Sequence, residues 1–463
     1  MTDSDRRLNA ATQRRSDTEA EKVSAWKETE IGLLPAEWKV VELREIADCQ
    51  GGYAFSPDYQ GKSSGDYPFY KVSDMNLPGN EMQLDRANNY ITEQDAEEMR
   101  VKTFQSGSVV FPKVGGAVRT NKKRILCQES VVDNNVMAVW VKEPSECLDE
   151  HLFYFFLTVD LNSLANPGTL PYITNSRVEK QLVPRPPLDE QRRIASALRN
   201  IQEAIAAQDD VITAARELKR SLMERLFTYG VTQSRGDAEA QRVQLKETEI
   251  GEVPEHWQVL PLDEVLESTQ YGTSERADLS GRYPVLRMNN LEDGRIDNSD
   301  LKYMDLDDED LKKYRLQPGD VIFNRTNSFE LVGKTALFDL EGDYVFASYL
   351  IRVVPEATRL MSEYLNYYLN WQRTQRYLRQ VATRGASQSN ISATKLGRLK
   401  MALPNIREQR RSVEVLQDVD AKVAAEEQRK AALEELFRSA LEQLMTGQIR
   451  LNAETQRRRG AEK

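Results

Sequence analysis

Long apolar runs are missing from this chain: nowhere in its 463 residues is there an uninterrupted stretch near the ~18 apolar residues that a bilayer-spanning helix needs. No membrane contact is therefore expected. The first twenty-six residues carry both charge signs and lack the apolar core of an export signal. Cysteine is scarce, with Cys49, Cys127 and Cys147 and no CxxC spacing. These read as reduced thiols of a cytoplasmic protein rather than disulfides or metal ligands. Histidine is scarcer still. His151 and His256 stand far apart, which argues against a histidine-built metal centre or acid–base pair. No metal site is expected.

Overall positive charge is lacking too: 63 Lys and Arg against 73 Asp and Glu leave a net −10. A uniformly cationic, phosphate-seeking surface is excluded. The charge is nevertheless segregated. Trp371 to Lys400 holds seven basic residues (Arg373, Arg376, Arg379, Arg384, Lys395, Arg398, Lys400) and no acid. Lys113 to Arg124 holds five (Lys113, Arg119, Lys122, Lys123, Arg124), again without an acid. Acids gather in Glu93–Glu98 and Glu292–Asp310. Such bipolarity can still steer a polyanion to one face, although solvated loops alone would give the same composition.

An internal duplication organises the chain. Lys27-Glu-Thr-Glu-Ile-Gly32 recurs verbatim as Lys246-Glu-Thr-Glu-Ile-Gly251, and Pro35/Pro254, Trp38/Trp257 and Leu43/Leu262 keep the same offset. Glu190-Gln-Arg-Arg193 recurs as Glu408-Gln-Arg-Arg411, followed by Leu198/Leu416 and Ile201/Val419. Between these anchors the offset drifts. Tyr67-Pro68 matches Tyr283-Pro284, and Gly107-Ser-Val-Val-Phe111 matches Gly319-Asp-Val-Ile-Phe323. The frame keeps a shared task while each interior has its own.

Residues 27–187 and 246–404 read as two globular α/β (mixed α+β) units. Strands are expected at Ser108–Phe111, Val136–Trp140 and Val321–Phe323, and helices at His151–Leu161 and Ser362–Tyr377. Each unit is followed by a long helix, 188–230 and 405–446, entered through Pro186-Pro187 and Pro404-Asn405. Four-three spacing sets Ile194, Leu198, Ile201, Ile205, Ile212 and Leu222 on one stripe of the first. It sets Leu416, Val419, Val423, Leu433, Phe437 and Leu444 on the matching stripe of the second. Polar residues interrupt both near mid-length. Narrow stripes of this kind are coiled-coil seams, and forty residues of helix extend about 60 Å. A pseudo-two-fold relation between similar halves would make the pairing antiparallel. Residues 1–26 and 447–463 read as tails, the first of them flexible, and 231–245 as a linker.

The doubled order of a Gly-x-x-Pro turn with Trp, a variable α/β unit, then Pro and Glu-Gln-Arg-Arg opening a long helix resembles the specificity subunit of type I restriction-modification systems. Tyr283-Pro-Val-Leu-Arg287, Gly319–Phe323 and Asn390-Ile-Ser392 fit as well. The resemblance implies two target-recognition domains, each reading half of a bipartite double-stranded DNA site. It also implies helices that set the gap and dock two modification (methyltransferase) subunits. S-adenosylmethionine would sit on those partners, and ATP with Mg on motor-nuclease restriction subunits, so no cofactor and no catalysis are expected here. One departure is Tyr172-Ile-Thr174, which stands where the second unit has Asn390-Ile-Ser392.

Phosphates call for cations, and base edges for side chains with paired donors and acceptors. The first unit offers Lys113, Arg119, Asn121, Lys122 and Lys123, with Lys71, Ser73 and Asp74 by analogy. The second offers Arg325, Asn327 and Ser328, then Arg287, Asn289 and Asn290, and a loop of Arg384, Ser387, Gln388 and Asn390. Gly61-Lys-Ser63 and Gly333-Lys-Thr335 lack the earlier glycine of a phosphate-binding loop. No Asn/Asp-Pro-Pro-Tyr/Phe methylation motif occurs; Arg185-Pro-Pro-Leu188 is not one. A self-sufficient modification enzyme or nuclease would need such parts. A coiled-coil scaffold that reads no sequence is the other alternative.

Overall fold

A computed structural model describes residues 26–231, 244–385 and 388–451. Ser387, nearly all of the expected N-terminal tail, most of the linker and residues 452–463 lie outside the described residues. Two compact units emerge, Met1–Ala207 with Lys430–Lys463, and Gln208–Arg429. Each long helix therefore contributes one part to either unit.

In the first unit a five-stranded sheet runs Ala47–Gly51, Val136–Val141, Val109–Pro112, Arg124–Leu126 and Gln83–Leu84, antiparallel except for its last pair. Val136–Val141 is apolar throughout because both of its faces are covered. Met137, Val139 and Val141 meet the helix Asp149–Thr158, while Val136 and Ala138 meet a second cluster around Tyr70 and Leu84. A smaller sheet pairs Tyr67–Tyr70 with Val131–Val132 in parallel and with Tyr90–Ile91 antiparallel.

The second unit repeats this plan. Leu266–Tyr271, Leu350–Pro355, Val321–Asn324 and Thr335–Leu337 form an antiparallel sheet. Tyr283–Leu286 again pairs in parallel with a later strand, Val345–Phe346, and antiparallel with Lys302–Met304. All three strands expected from sequence are present. The helix expected over Ser362–Tyr377 is instead two, Ser362–Asn370 and Gln372–Val381, broken at Trp371. Burial decides this: Trp371 leaves the helical conformation to pack its ring 5.5 Å from Phe227 and donate Nε1 to Glu224 at 2.8 Å. Likewise His151–Leu161 divides into Asp149–Thr158 and Leu161–Leu164.

The long helices span Leu188–Tyr229 and Ile406–Met445, 42 and 40 residues. In the first unit, Ile194 and Leu198 near the start of one share a buried cluster with Leu441, Leu444 and Met445 near the end of the other. In the second unit, Met223, Leu226 and Phe227 near the end of the first helix join Val413 and Leu416 near the start of the second. Both pairings are antiparallel. Ile194, Leu198, Ile212, Leu416 and Leu444 are buried, whereas Ile201, Ile205, Leu222, Val419, Val423, Leu433 and Phe437 are half-buried. A seam of two helices leaves its flanks to solvent, so the apolar stripe stays narrow. The polar interruption is internally bonded. Gln208 Nε2 donates to Glu426 at 2.7 Å, and Lys219 pairs with Asp420 at 2.6 Å, which also accepts from Tyr367 Oη at 2.7 Å.

A buried glutamine clasps each globular part to its helix. Gln191 Nε2 donates to the Pro186 and Glu146 carbonyls at 2.9 and 3.1 Å, and its Oε1 accepts from Leu148 N at 3.0 Å. Gln409 does the same with Pro404 O, Arg359 O and Met361 N at 2.9, 2.8 and 2.9 Å. This explains one residue of the repeated Glu-Gln-Arg-Arg. Residues 447–451, assigned to a tail from sequence, are instead docked. Arg450 bonds Glu190 at 2.6 Å and Glu37 at 2.9 Å, and Arg193 donates to Leu451 O at 3.0 Å.

Candidate nucleic-acid interface

In the second unit the strand Val321–Asn324 delivers Arg325 to its end. Arg325 N donates to Tyr349 O at 3.0 Å, and its carbonyl accepts from Ile391 N at 2.9 Å. The guanidinium lies 4.7 Å over the Tyr271 ring and donates to Ser348 O at 3.2 Å and Asn390 Oδ1 at 3.3 Å. Asn390 Nδ2 in turn donates to Thr326 Oγ1 at 2.7 Å. Thr326–Asn327 and Thr383–Arg384 flank Ser389–Asn390 in a small antiparallel sheet. Arg384 covers the Phe329 ring at 4.0 Å, and Asn327 Oδ1 caps Ser328 N at 2.8 Å. Arg325, Asn327, Ser328, Arg384, Gln388 and Asn390 are thus brought to one place, with hydrogen-bonding amides beside cations.

Arg287 and Asn289 form a second group, both bonded to Asp300 Oδ2 at 2.9 Å. Tyr349 adjoins both groups. Burial raises its phenol, and the positive charge of Arg287 opposes that rise. Asn290 is buried, with Oδ1 accepting from Arg287 N at 2.9 Å and Nδ2 donating to two carbonyls. It shapes the turn and is not a surface amide, contrary to its sequence-based assignment.

The first unit carries the equivalent turn. Asp74, fully buried, accepts from Lys71 N at 2.7 Å and from Asn88 Nδ2 at 2.6 Å, so it too is a turn former rather than a reader of bases. Lys71 reaches Gln60 at 2.6 Å and covers the Phe55 ring, and Ser73 is exposed. Lys113 occupies the place of Arg325: its N donates to Asn135 O and its carbonyl accepts from Ile173 N, both at 2.8 Å. Its ammonium lies across Gly51, where a Cβ would stand 2.0 Å from Nζ. A larger residue there would make the flexible ammonium move aside. Arg119 is exposed at the end of the turn Gly115–Thr120, and Asn121 follows in the left-handed region at φ 55°. Lys122 bonds Asn76.

Lys123 is a correction. It is 3 % exposed and donates to Val159 O at 2.5 Å and Asn121 Oδ1 at 2.9 Å, with burial pushing its pKa down to about 8. Its ammonium closes the loop onto the chain before Leu161–Leu164 and does not face solvent. Of the basic run after Trp371, Arg373, Lys395 and Lys400 bond within the unit. Arg376, Arg379 and Arg398 have no side-chain partner among the described residues.

Tyr271 escaped the sequence reading because nothing local marks an aromatic as the platform for an arginine more than fifty positions away. The glycine–lysine decoys resolve as ion pairs, Lys62 with Asp95 and Lys334 with Glu292, each at 2.6 Å. Among the described residues no cluster of histidine, cysteine or carboxylates could hold a metal ion, and no helix is long and apolar enough to cross a membrane.

Comparison with known proteins gives a consistent pattern. Residues 35–213 and 254–435 match the family described as type I restriction modification DNA specificity domain. The putative type I restriction enzyme MjaX specificity subunit of Methanocaldococcus jannaschii is 35 % identical over 179 residues, 38 % of this chain and 42 % of that protein. The chain thus spans less than half of that relative's length. The MjaVIII specificity subunit of the same organism is 24 % identical over 323 residues, 68 % of this chain and 73 % of the relative. A solved structure from a study of assembly and conformational transition in the type I R-M system aligns over 90 % of this chain and 99 % of its own. Its TM-score is 0.55 at 17 % identity, a likeness of fold.

Proposed function

The chain belongs to the type I restriction modification DNA specificity family, and from that premise we propose that it is the sequence-reading subunit of a type I restriction-modification assembly. Each globular module reads one half of a bipartite duplex site. The paired helices set the gap and dock two methyltransferase subunits. The chain itself performs no chemistry; S-adenosylmethionine belongs to the methyltransferase partners, and ATP with Mg to motor-nuclease subunits.

One observation carries this reading. Both modules keep the same backbone contact, Ile173 N to Lys113 O and Ile391 N to Arg325 O, yet surround it with different side chains. A shared frame with divergent contents suits two readers of different short sequences. Cations beside amides suit phosphate and base-edge contacts respectively. A scaffold that ignores sequence would need no such divergence at one fixed place.

The test exchanges residues 246–404 for the corresponding module of another family member and maps methylated adenines across the genome. One half of the split motif should change and the other persist. Alteration of both halves would refute independent reading heads. Removing equal whole heptads from both helices should shorten the gap with the half-sites intact.

A further inference from the structure

The loop that closes each module on its basic strand end differs in chemistry between the two units. In the second, Thr326 pairs with Asn390, and Gln388 precedes it by two residues. In the first, Val114 bridges to Tyr172, and the residue two before it is Leu170. Where one unit presents two amides, the other presents a leucine 64 % exposed and a tyrosine 48 % exposed.

That exposure is held in place. Gly115 N donates to Pro171 O at 2.7 Å, Asn166 N to Tyr172 O at 2.9 Å, and Ile173 N to Lys113 O at 2.8 Å. Leu170 lies beside Gly115, whose positive φ of 75° turns the chain against which the loop packs. Water gains nothing from a leucine fixed on such a perch, and burying it is favourable. The neighbouring charges say what buries it. Lys113 joins the loop through its carbonyl, and the stretch from Lys113 to Arg124 holds five basic residues and no acid. Leu279 is more exposed at 83 %, but Glu275 and Asp278 there offset Arg276 and Arg282, so that stretch carries no net positive charge to hold a phosphate backbone.

We infer that the first module reads its half-site through a wedge: Leu170 enters between adjacent base pairs and partly unstacks them, with Tyr172 against the opened step. The second module relies on amide hydrogen bonds at the same place. Apolar wedges select steps that unstack readily, so sequence is read through deformability as well as base edges. This inference rests on the DNA-reading function proposed above.

The experiment uses the full chain assembled with its modification subunits and a duplex bearing the mapped motif. 2-Aminopurine replaces, one at a time, purines of each half-site other than the methylated adenine. Wild-type assembly should raise the fluorescence at one step of one half-site. Leu170→Ala should abolish that rise and weaken binding by roughly tenfold, the scale of losing one buried aliphatic side chain. Because Leu170 is so exposed, its removal should leave thermal unfolding unchanged. Specific binding without any fluorescence rise overturns the wedge while leaving the function intact. Sensitivity to uracil in place of thymine without a rise overturns it in favour of a groove contact to the thymine methyl. Absence of sequence-specific binding by the wild-type assembly overturns both.

Discussion

Replacing Gln409 with alanine removes three buried hydrogen bonds at once and leaves Pro404 O, Arg359 O and Met361 N without that partner. Each buried backbone group so orphaned costs ~1–3 kcal/mol. Water entering the vacated space recovers part of this, so the net loss should be ~3 kcal/mol. For a unit of roughly 200 residues that corresponds to a melting temperature lowered by about 10 °C. Gln409→Glu discriminates the cause. It preserves the shape but aims a carboxylate at two carbonyls, and only its protonated form can donate to one of them. Its folded pKa is therefore raised above the unfolded value. Stability of this variant is highest at low pH and falls as pH rises through that raised value. Urea unfolding should place Gln409→Glu below Gln409→Ala at pH 8 and recover part of the deficit at pH 5. A Gln409→Ala loss under ~0.5 kcal/mol, the range of ordinary surface changes, would refute the clasp. So would wild-type stability of Gln409→Glu at pH 8.

Three further outcomes follow from the geometry. Arg325→Ala should weaken specific duplex binding by roughly tenfold, in line with ~1–3 kcal/mol for a base-reading arginine, and relax the half-site read by the second module; gel shifts with single-base variants would show it. His151 is fully buried with Nε2 on Pro184 O at 3.2 Å, and burial pushes its pKa down to about 4. Its contribution is intact above the unfolded pKa near ~6.5 and is lost as pH falls toward 4. The total is ~3 kcal/mol, and His151→Gln should flatten the stability–pH curve in that window. Finally, Lys219→Met and Asp420→Leu should each destabilise, while the double variant loses less than their sum by at least ~1 kcal/mol; strict additivity in unfolding experiments would deny coupling in the seam.

Periodicity made the long helices legible, since a narrow four-three stripe has one economical partner, a second stripe like it. Duplication made the two-module plan legible, and turn residues and β-branched runs located the central strands. The interface was legible only as loops. Arg325, Asn327, Arg384 and Asn390 do converge, but Lys123, Asp74 and Asn290 were misread because composition cannot tell a cation or amide that meets solvent from one that satisfies a neighbouring carbonyl.

What the sequence alone determined is therefore what repeats: helix phase, strand alternation, and a frame used twice. The first two are local, because backbone geometry ties each to spacings of two to four residues, and the frame is legible because its motifs recur verbatim. The tertiary structure decided which polar groups remain available. Lys123 meets Val159 O and Trp371 breaks a helix to reach Glu224, contacts between segments tens to more than a hundred residues apart. Burial is a property of what packs on top of a residue, and no local spacing encodes it.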